Sequence, residues 1–505
     1  MVDAEGLAEI VSRLRHIGTD SNEVEVKAAV GGLPKKLVRT VSAFSNGNGG
    51  LIILGLDEQN GFMPAEGFDP KAIADAAAGM CADKVTPPAR ANISIEDVDG
   101  SPVVTVEVPA LPPRDKPCWV VSQSKYTGSY IRGHDGDRAL TPYEIDRLEE
   151  NRIQPNWDLE VVEAATFDDL DPEIVQSILE RERQMHPRVF RKLSDVDAQK
   201  ALNIIAKDSD GVLRPTLSGL LVAGTYPQQF FPRLNVTFTV YPGTDKSSGG
   251  GGRRFVDNLS LVGPIPVLVA DTVAAVKRNM RTGGVIEGAF RRDLPDYPPV
   301  AVREAVVNAL MHRDYSPQAR GSQVQVNMYV DRLEVVNPGG LYGIMTVDNL
   351  GVAGLSSTRN EHLSSLLEAT PYPAAGPGSL SGSGVDGGFV AENRGSGFIE
   401  ILDQLERELL PPPRPQDSLT TFRLEFERRS PTDAERQASV TGASKTRILD
   451  YLASYPSGTS KELAAAAGVS TGGVRRILSE MVAEGAIERT EPLTSPKQRY
   501  RLRTQ

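Results

Sequence analysis

Glu304 and Asn308 stand four residues apart in AVREAVVNALMHRDY, a run whose apolar spacing predicts a helix. Residues at that spacing return to nearly the same helix face, so the carboxylate and the amide project together. A carboxylate so placed can orient a water molecule, and an amide oxygen beside it can ligate Mg²⁺. Further along, ENRGSGFIEILDQLE puts Gly395 and Gly397 in a turn immediately before another helix. The unpaired N–H groups of such a helix start can hold phosphate oxygens. Between the two segments, DRLEVVNPGGL reads as a strand entering a glycine turn at Asn337, Gly339 and Gly340. The C-terminus offers a different chemistry. Arg475 and Arg476 lie on a predicted helix, and Lys497, Arg499, Arg501 and Arg503 follow in a strand-like stretch, where cations can meet a phosphate backbone. No GxxxxGK[ST] pattern occurs, which excludes a P-loop motor. The glycines of SSGGGGRR lack a strand-to-helix context and read as a surface loop.

The elements that must position these groups are separable along the chain. At 505 residues the sequence is too long for one core. Its breaks fall near residue 152 and over 431–443, a polar, Pro-containing linker, giving regions 1–152, 153–430 and 444–505. In the last region TRILDYLASYP reads as an amphipathic helix, Thr459 or Ser460 caps a short second helix, and Gly468 supplies the turn. On the third helix Val474, Ile477, Leu478, Met481 and Val482 make one buried stripe. A two-stranded wing follows, with its turn near Ser495 and Pro496. The net charge of −11 argues against a chain that coats nucleic acid over its whole surface. From Gly442 onward, however, ten basic residues face six acidic ones, so basic charge gathers at this end. Two cysteines without metal spacing suit a reducing cytoplasm. The sequence holds no apolar run of membrane-spanning length.

Three resemblances follow from these motifs. LAAAAGVSTGGVRRILSEMVAEGAI resembles a winged helix-turn-helix, in which a helix enters the major groove and the wing meets phosphates. Gly472 and Gly473 offer no side chains for base readout there. ExxxNAxxHRDY together with DRLEVVNPGGL resembles the divergent GHKL-type ATP-binding domain found in bacterial regulators and associated by name with the RecG helicase. That resemblance implies Glu304 as the water-polarising base and Asn308 as the Mg²⁺ ligand. It places Asn337, Gly339 and Gly340 by the adenine and Gly395 and Gly397 by the phosphates, with His312, Arg313 and Asp314 in the same signature. Asn337 stands where such pockets carry Asp, and an amide can pair with adenine through its own donor and acceptor. The segment from Thr370 to Phe389 is long for the lid of such a pocket. Finally, DSNEVEVK, SAFSNGNGGLIILGLDE and YIRGHDGDRALTPYEI resemble a Schlafen-type AlbA-like domain, an α+β nucleic-acid-binding module. Lys27, Lys35, Lys36, Arg39, Lys125 and Arg132 are its candidate phosphate contacts. Some Schlafen proteins bind metal through three carboxylates to cut RNA, and here Asp20, Glu25 and Asp57 occupy those positions, with Asp20 in place of the usual Glu.

The expected fold class is therefore α+β and multidomain: a Schlafen AlbA-like domain, a GHKL-like α/β sandwich and a C-terminal winged helix. The expected function is that of an ATP-responsive nucleic-acid-binding protein, a DNA-binding transcriptional regulator with ATP and Mg²⁺ as cofactors, with weak ATPase activity left open. The alternative is a nucleotide-gated, metal-dependent nuclease. DNA is favoured over RNA as partner, a homo-oligomer is expected, and no membrane partner is.

Overall fold

The structure is a computed structural model, and it describes residues 4–19, 22–133, 136–247, 254–287, 290–373, 388–391, 397–430, 444–453, 455–469, 471–483, 486–491 and 498–503. The chain forms two compact units. The first comprises Met1–Pro155 with Tyr342–Thr346; the second comprises Asn156–Leu341 with Val347–Gln505.

In the first unit a four-stranded sheet has the order β1 (Val24–Lys27), β2 (Gly49–Leu54), β4 (Ser101–Pro109), β3 (Asn92–Val98). The β1–β2 pair is parallel and the others are antiparallel. The continuous apolar run of β2 is explained by cover on both faces. Leu51 and Ile53 join Leu7, Val11 and Leu14 of helix α1 (Ala4–Ile17) in one cluster. Ile52 and Leu54 join Val41 and Phe44 of α2 (Leu37–Asn46) and Ile73 and Ala77 of α3 (Pro70–Asp83) in another. A hairpin, β5 (Tyr130–Gly133) with β6 (Gly136–Ala139), lies against α2. Helix α4 (Pro142–Glu150) follows, its start fixed by a Thr141–Glu144 capping box.

The second unit is built on a six-stranded mixed sheet. Its order is β8 (Asp257–Leu261), β7 (Val236–Val240), β9 (Val324–Met328), β10 (Arg332–Pro338), β12 (Thr421–Glu427), β11 (Arg414–Asp417). Only β7 and β9 run parallel. Helices α5 (Ile265–Asn279), α6 (Pro299–Met311) and α7 (Gly397–Arg407) pack on one another and share one core with the sheet. Along β10, Leu333 and Val335 belong to that core, so the period of two brings Asn337 to the same, helix-covered face.

The C-terminal part has a helix over 444–453, then α8 (Ser460–Ala467) and α9 (Thr471–Ala483). A small sheet joins β13 (Gly458–Thr459), β15 (Arg499–Leu502) and β14 (Ile487–Arg489), so the wing has a third strand beyond the expected pair. Thr459 caps α8 in a capping box with Glu462, and Gly468 ends it at φ +70°. Val474, Ile477, Leu478 and Met481 are buried together with Ile448, Leu463 and Tyr500, and Val482 packs at their edge. Among the described residues, no helix is long and apolar enough to cross a membrane.

Candidate functional site

Helix α6 presents Glu304 and Asn308, and α7 packs alongside it. The first residue of α7 is Gly397. A Cβ at that position would stand 3.1 Å from Asn308 Nδ2, 3.2 Å from Asn308 Oδ1 and 3.5 Å from Glu304 Oε2. The N–H groups that begin α7 therefore open where the carboxylate and the amide meet, and only a residue without a side chain fits unstrained. Glu304 is nearly buried, and its Oε1 accepts from Arg303 Nη2 at 2.6 Å and from Arg303 Nε at 3.1 Å. Gly395 lies outside the described residues.

The glycine turn after β10 is equally crowded. Gly339 has φ +103°, in the left-handed region, and Arg359 and Asp314 fill the space beside it. Any side chain at Gly340 would collide with the Ser418 carbonyl. Asn337 is buried, and its Oδ1 has no hydrogen-bond partner. A buried amide oxygen without a donor is unusual, and it suits a ligand that brings an N–H group.

The HRDY residues make specific contacts within the fold. Arg313 is almost fully buried and donates to the carbonyls of Ala319, at 3.1 Å, and of Ser322. Asp314 Oδ1 accepts from the Ser316 N–H at 2.8 Å, and its own N–H donates to Pro338 O at 2.9 Å. His312 is pushed down to about 4 by burial, reinforced by the Arg359 charge, so it is neutral near pH 7. Arg313 thus ties down the loop that runs to Ser322, and Asp314 braces the glycine turn. Sequence reading missed Arg359 and Asn360. Arg359 lies 3.8 Å from Asp314 and donates to Gly340 O at 3.3 Å. Asn360 Nδ2 donates to Met311 O and Arg313 O, closing the end of α6. No local pattern flags either residue, because their partners lie tens of residues away.

In the first unit two of the three candidate carboxylates lie among the described residues, and each has partners of its own. Glu25 Oε1 is 2.8 Å from Lys27 Nζ and its Oε2 is 2.7 Å from Arg132 Nη2. Burial alone would raise the Glu25 carboxyl, but Lys27 and Arg132 outweigh it and hold the group below the ordinary carboxylate range. Asp57 instead caps a short turn, accepting from the Gln59 N–H at 3.1 Å. Asp20 lies outside the described residues. Among the described residues no group of three or more His, Cys, Asp or Glu side chains could hold a metal ion. Lys27 and Arg132 occupy both oxygens of Glu25, so a divalent ion there would have to compete with two cations.

Two of the expected phosphate contacts, Lys27 and Arg132, are thus engaged by Glu25, and Arg132 also meets Asp137 at 3.2 Å. Lys125 pairs with Glu149, and Arg39 lies over the Tyr130 ring at 5.2 Å. Lys35 and Lys36 are exposed at the start of α2. In the winged helix Arg475 is exposed on α9. Arg499 reaches Glu462 at 3.2 Å and Arg501 reaches Glu488 at 2.6 Å. Lys497 and the side chain of Arg476 lie outside the described residues.

The Glu25 cluster has a testable pH signature. A carboxyl held below its ordinary value of 4.5 contributes stability that is present above that value and lost as pH falls below it. Glu25→Gln is expected to destabilise the first unit by about 2–4 kcal/mol at pH 7, because two half-buried cations lose their anion. Denaturant melts should show the gap to wild type closing below pH 4.5; a gap independent of pH would count against the pairing.

Four family models match the chain. Residues 20–141 match Schlafen, AlbA_2, and 321–426 match the model for the C-terminal region of ATP-dependent DNA helicase recG. Residues 446–491 match the IclR helix-turn-helix domain, and 146–237 match a domain of unknown function. No curated protein matches the chain. Among solved structures, the DIP2311 protein from Corynebacterium diphtheriae is similar at 17% identity and TM-score 0.39, over 99% of this chain and 97% of that one. The N-terminal domain of a RecG-related protein from Nitrosomonas europaea is similar at 24% identity and TM-score 0.21, over 26% of this chain and 92% of that one. The chain is thus a mixed α and β, multidomain protein that carries a Schlafen AlbA_2 domain, a helicase recG C-terminal-type ATPase-like domain and an IclR-type helix-turn-helix, in that order.

Proposed function

We propose that the chain is an ATP-responsive nucleic-acid-binding protein, a DNA-binding regulator whose second unit binds ATP with Mg²⁺ in a GHKL-type pocket. One observation carries the reading: α7 begins against Glu304 and Asn308 and also packs against α9, the helix expected to enter the groove. An occupant that orders the start of α7 therefore acts on an element already in contact with the DNA-reading helix. In this reading Asn308 lends its amide oxygen to Mg²⁺ beside the phosphates, and the N–H groups opening α7 bind the phosphate oxygens. Asn337 accepts from the adenine amino group, and Glu304 orients the attacking water. Mg²⁺, when bound, supplies charge neutralisation at the phosphates.

A fluorescent ATP analogue titrated in the presence of Mg²⁺ tests this directly. Saturable binding is expected, and none by the wild-type protein would leave the second unit a scaffold. Gly397→Ala is expected to weaken that binding about tenfold, because its new methyl group must push the Asn308 amide aside. Unchanged affinity in the alanine variant would place the phosphates elsewhere.

A further inference from the structure

Neighbouring residues on a helix point roughly 100° apart, so their side chains do not ordinarily meet. Arg303 and Glu304 are such neighbours, yet Arg303 places both Nε and Nη2 on the single oxygen Oε1 of Glu304. Neither side chain is a solvated surface group, at 15% and 11% exposure. The guanidinium also lies 5.9 Å from the centre of the Tyr372 ring, which lies in the shared core. Arg303 thus lies near an aromatic face and grips one carboxylate oxygen. The second oxygen, Oε2, is the one turned toward Asn308 and Gly397.

We infer that Arg303 is a positioning residue for ATP hydrolysis: by fixing Oε1 it sets Glu304 Oε2 at the phosphate end of the site, where the attacking water must be oriented. The inference rests on the nucleotide reading above and adds a residue to it. An unrestrained Glu has three rotatable side-chain bonds, and several of its rotamers carry the carboxylate away from the Asn308 side. A two-point grip on one oxygen removes most of that freedom before any ligand arrives, and orientation of this kind is worth large factors in rate. The expected reaction is attack of the oriented water on the γ-phosphorus. The bond to the bridging oxygen breaks, ADP leaves with that electron pair, and the water proton passes to Glu304 Oε2 or to the released phosphate.

The test uses the full chain with Arg303→Met and Arg303→Lys, reading phosphate release under Mg²⁺–ATP and, separately, equilibrium binding of a non-hydrolysable ATP analogue. Arg303→Met is expected to lower kcat about 10–100-fold while the analogue Kd stays within about twofold. Arg303→Lys should recover part of the rate, since an ammonium reaches Oε1 but cannot grip it at two points. An unchanged kcat in Arg303→Met overturns the inference, and so does a fall in affinity matching the fall in rate, which would make Arg303 a ligand or a structural support. Wild-type protein that binds the analogue without turning over ATP overturns it too, and leaves the binding reading intact. Wild-type protein that binds no nucleotide defeats the binding reading itself.

Discussion

Asn308→Ala is expected to raise the Kd for a fluorescent ATP analogue in Mg²⁺ by about 100-fold or more, with little change in fold stability. Two features set the size of the effect. In the proposed reading the amide oxygen would be a neutral ligand to the ion beside the phosphates, and loss of a metal ligand costs more than the 10–100-fold typical of its supporting partners. The amide also defines the wall against which Gly397 is packed, so its removal widens the site where phosphate must be gripped. The fold should tolerate the change. Asn308 is only half-buried near the end of α6, and Ala is the better helix former by roughly half a kcal/mol. Thermal melts of the variant should therefore overlay those of wild type while the titration flattens. Equal binding by the two proteins would remove Asn308 from the site. Without Mg²⁺ the difference between them should shrink, because the ligand that Asn308 serves is then missing.

Much of the local architecture could be read from residue types. The run GGLIIL is apolar at every position because both faces of β2 are covered, and the stripe from Val474 to Met481 faces inward at helical spacing. Thr459 and Gly468 bound α8 through their own backbone preferences. The pairing of Glu304 with Asn308 needed only the period of a helix. What could not be read is charge pairing between distant segments. The fold brings Arg132 onto Glu25, 107 residues away along the chain. Arg359 carries no motif of its own, and its meaning arises from the approach of its segment to the turn at Gly339. The HRDY run shows the same limit. Its residue types alone do not separate a group that could touch ligand from one that ties down a loop, as Arg313 does. Residues 153–237, which the sequence reading joined to the nucleotide-binding region, lie within a match over 146–237 to a family model of their own. Their sequence carries no chemistry-bearing motif that would mark them off.

If α7 links the two activities, the affinity of the full chain for duplex DNA should change by about 5–150-fold between nucleotide-free and Mg²⁺–ATP conditions. Thermodynamic linkage makes the prediction stricter, because DNA must then change the ATP affinity by the same factor. The contact of α7 with α9 supplies the physical route. A helix whose first N–H groups are taken up by phosphate loses fraying at that end, and its packing against α9 is altered by the same event. In the same reading DNA would engage α9 from the other direction. Fluorescence anisotropy of labelled duplex, titrated at fixed salt with and without a non-hydrolysable analogue, gives one arm of the cycle. Nucleotide titration with and without duplex gives the other. Salt must be held constant, since phosphate contacts make every such affinity ionic-strength dependent. Equal factors in the two arms would establish coupling through the protein. A DNA affinity indifferent to nucleotide, in protein that binds the analogue, would mean that the two sites share a chain without sharing an equilibrium. The contact between α7 and α9 would then be packing alone. Asn308→Ala completes the cycle, for a variant that cannot hold nucleotide should bind DNA as the nucleotide-free wild type does, whatever ATP is added.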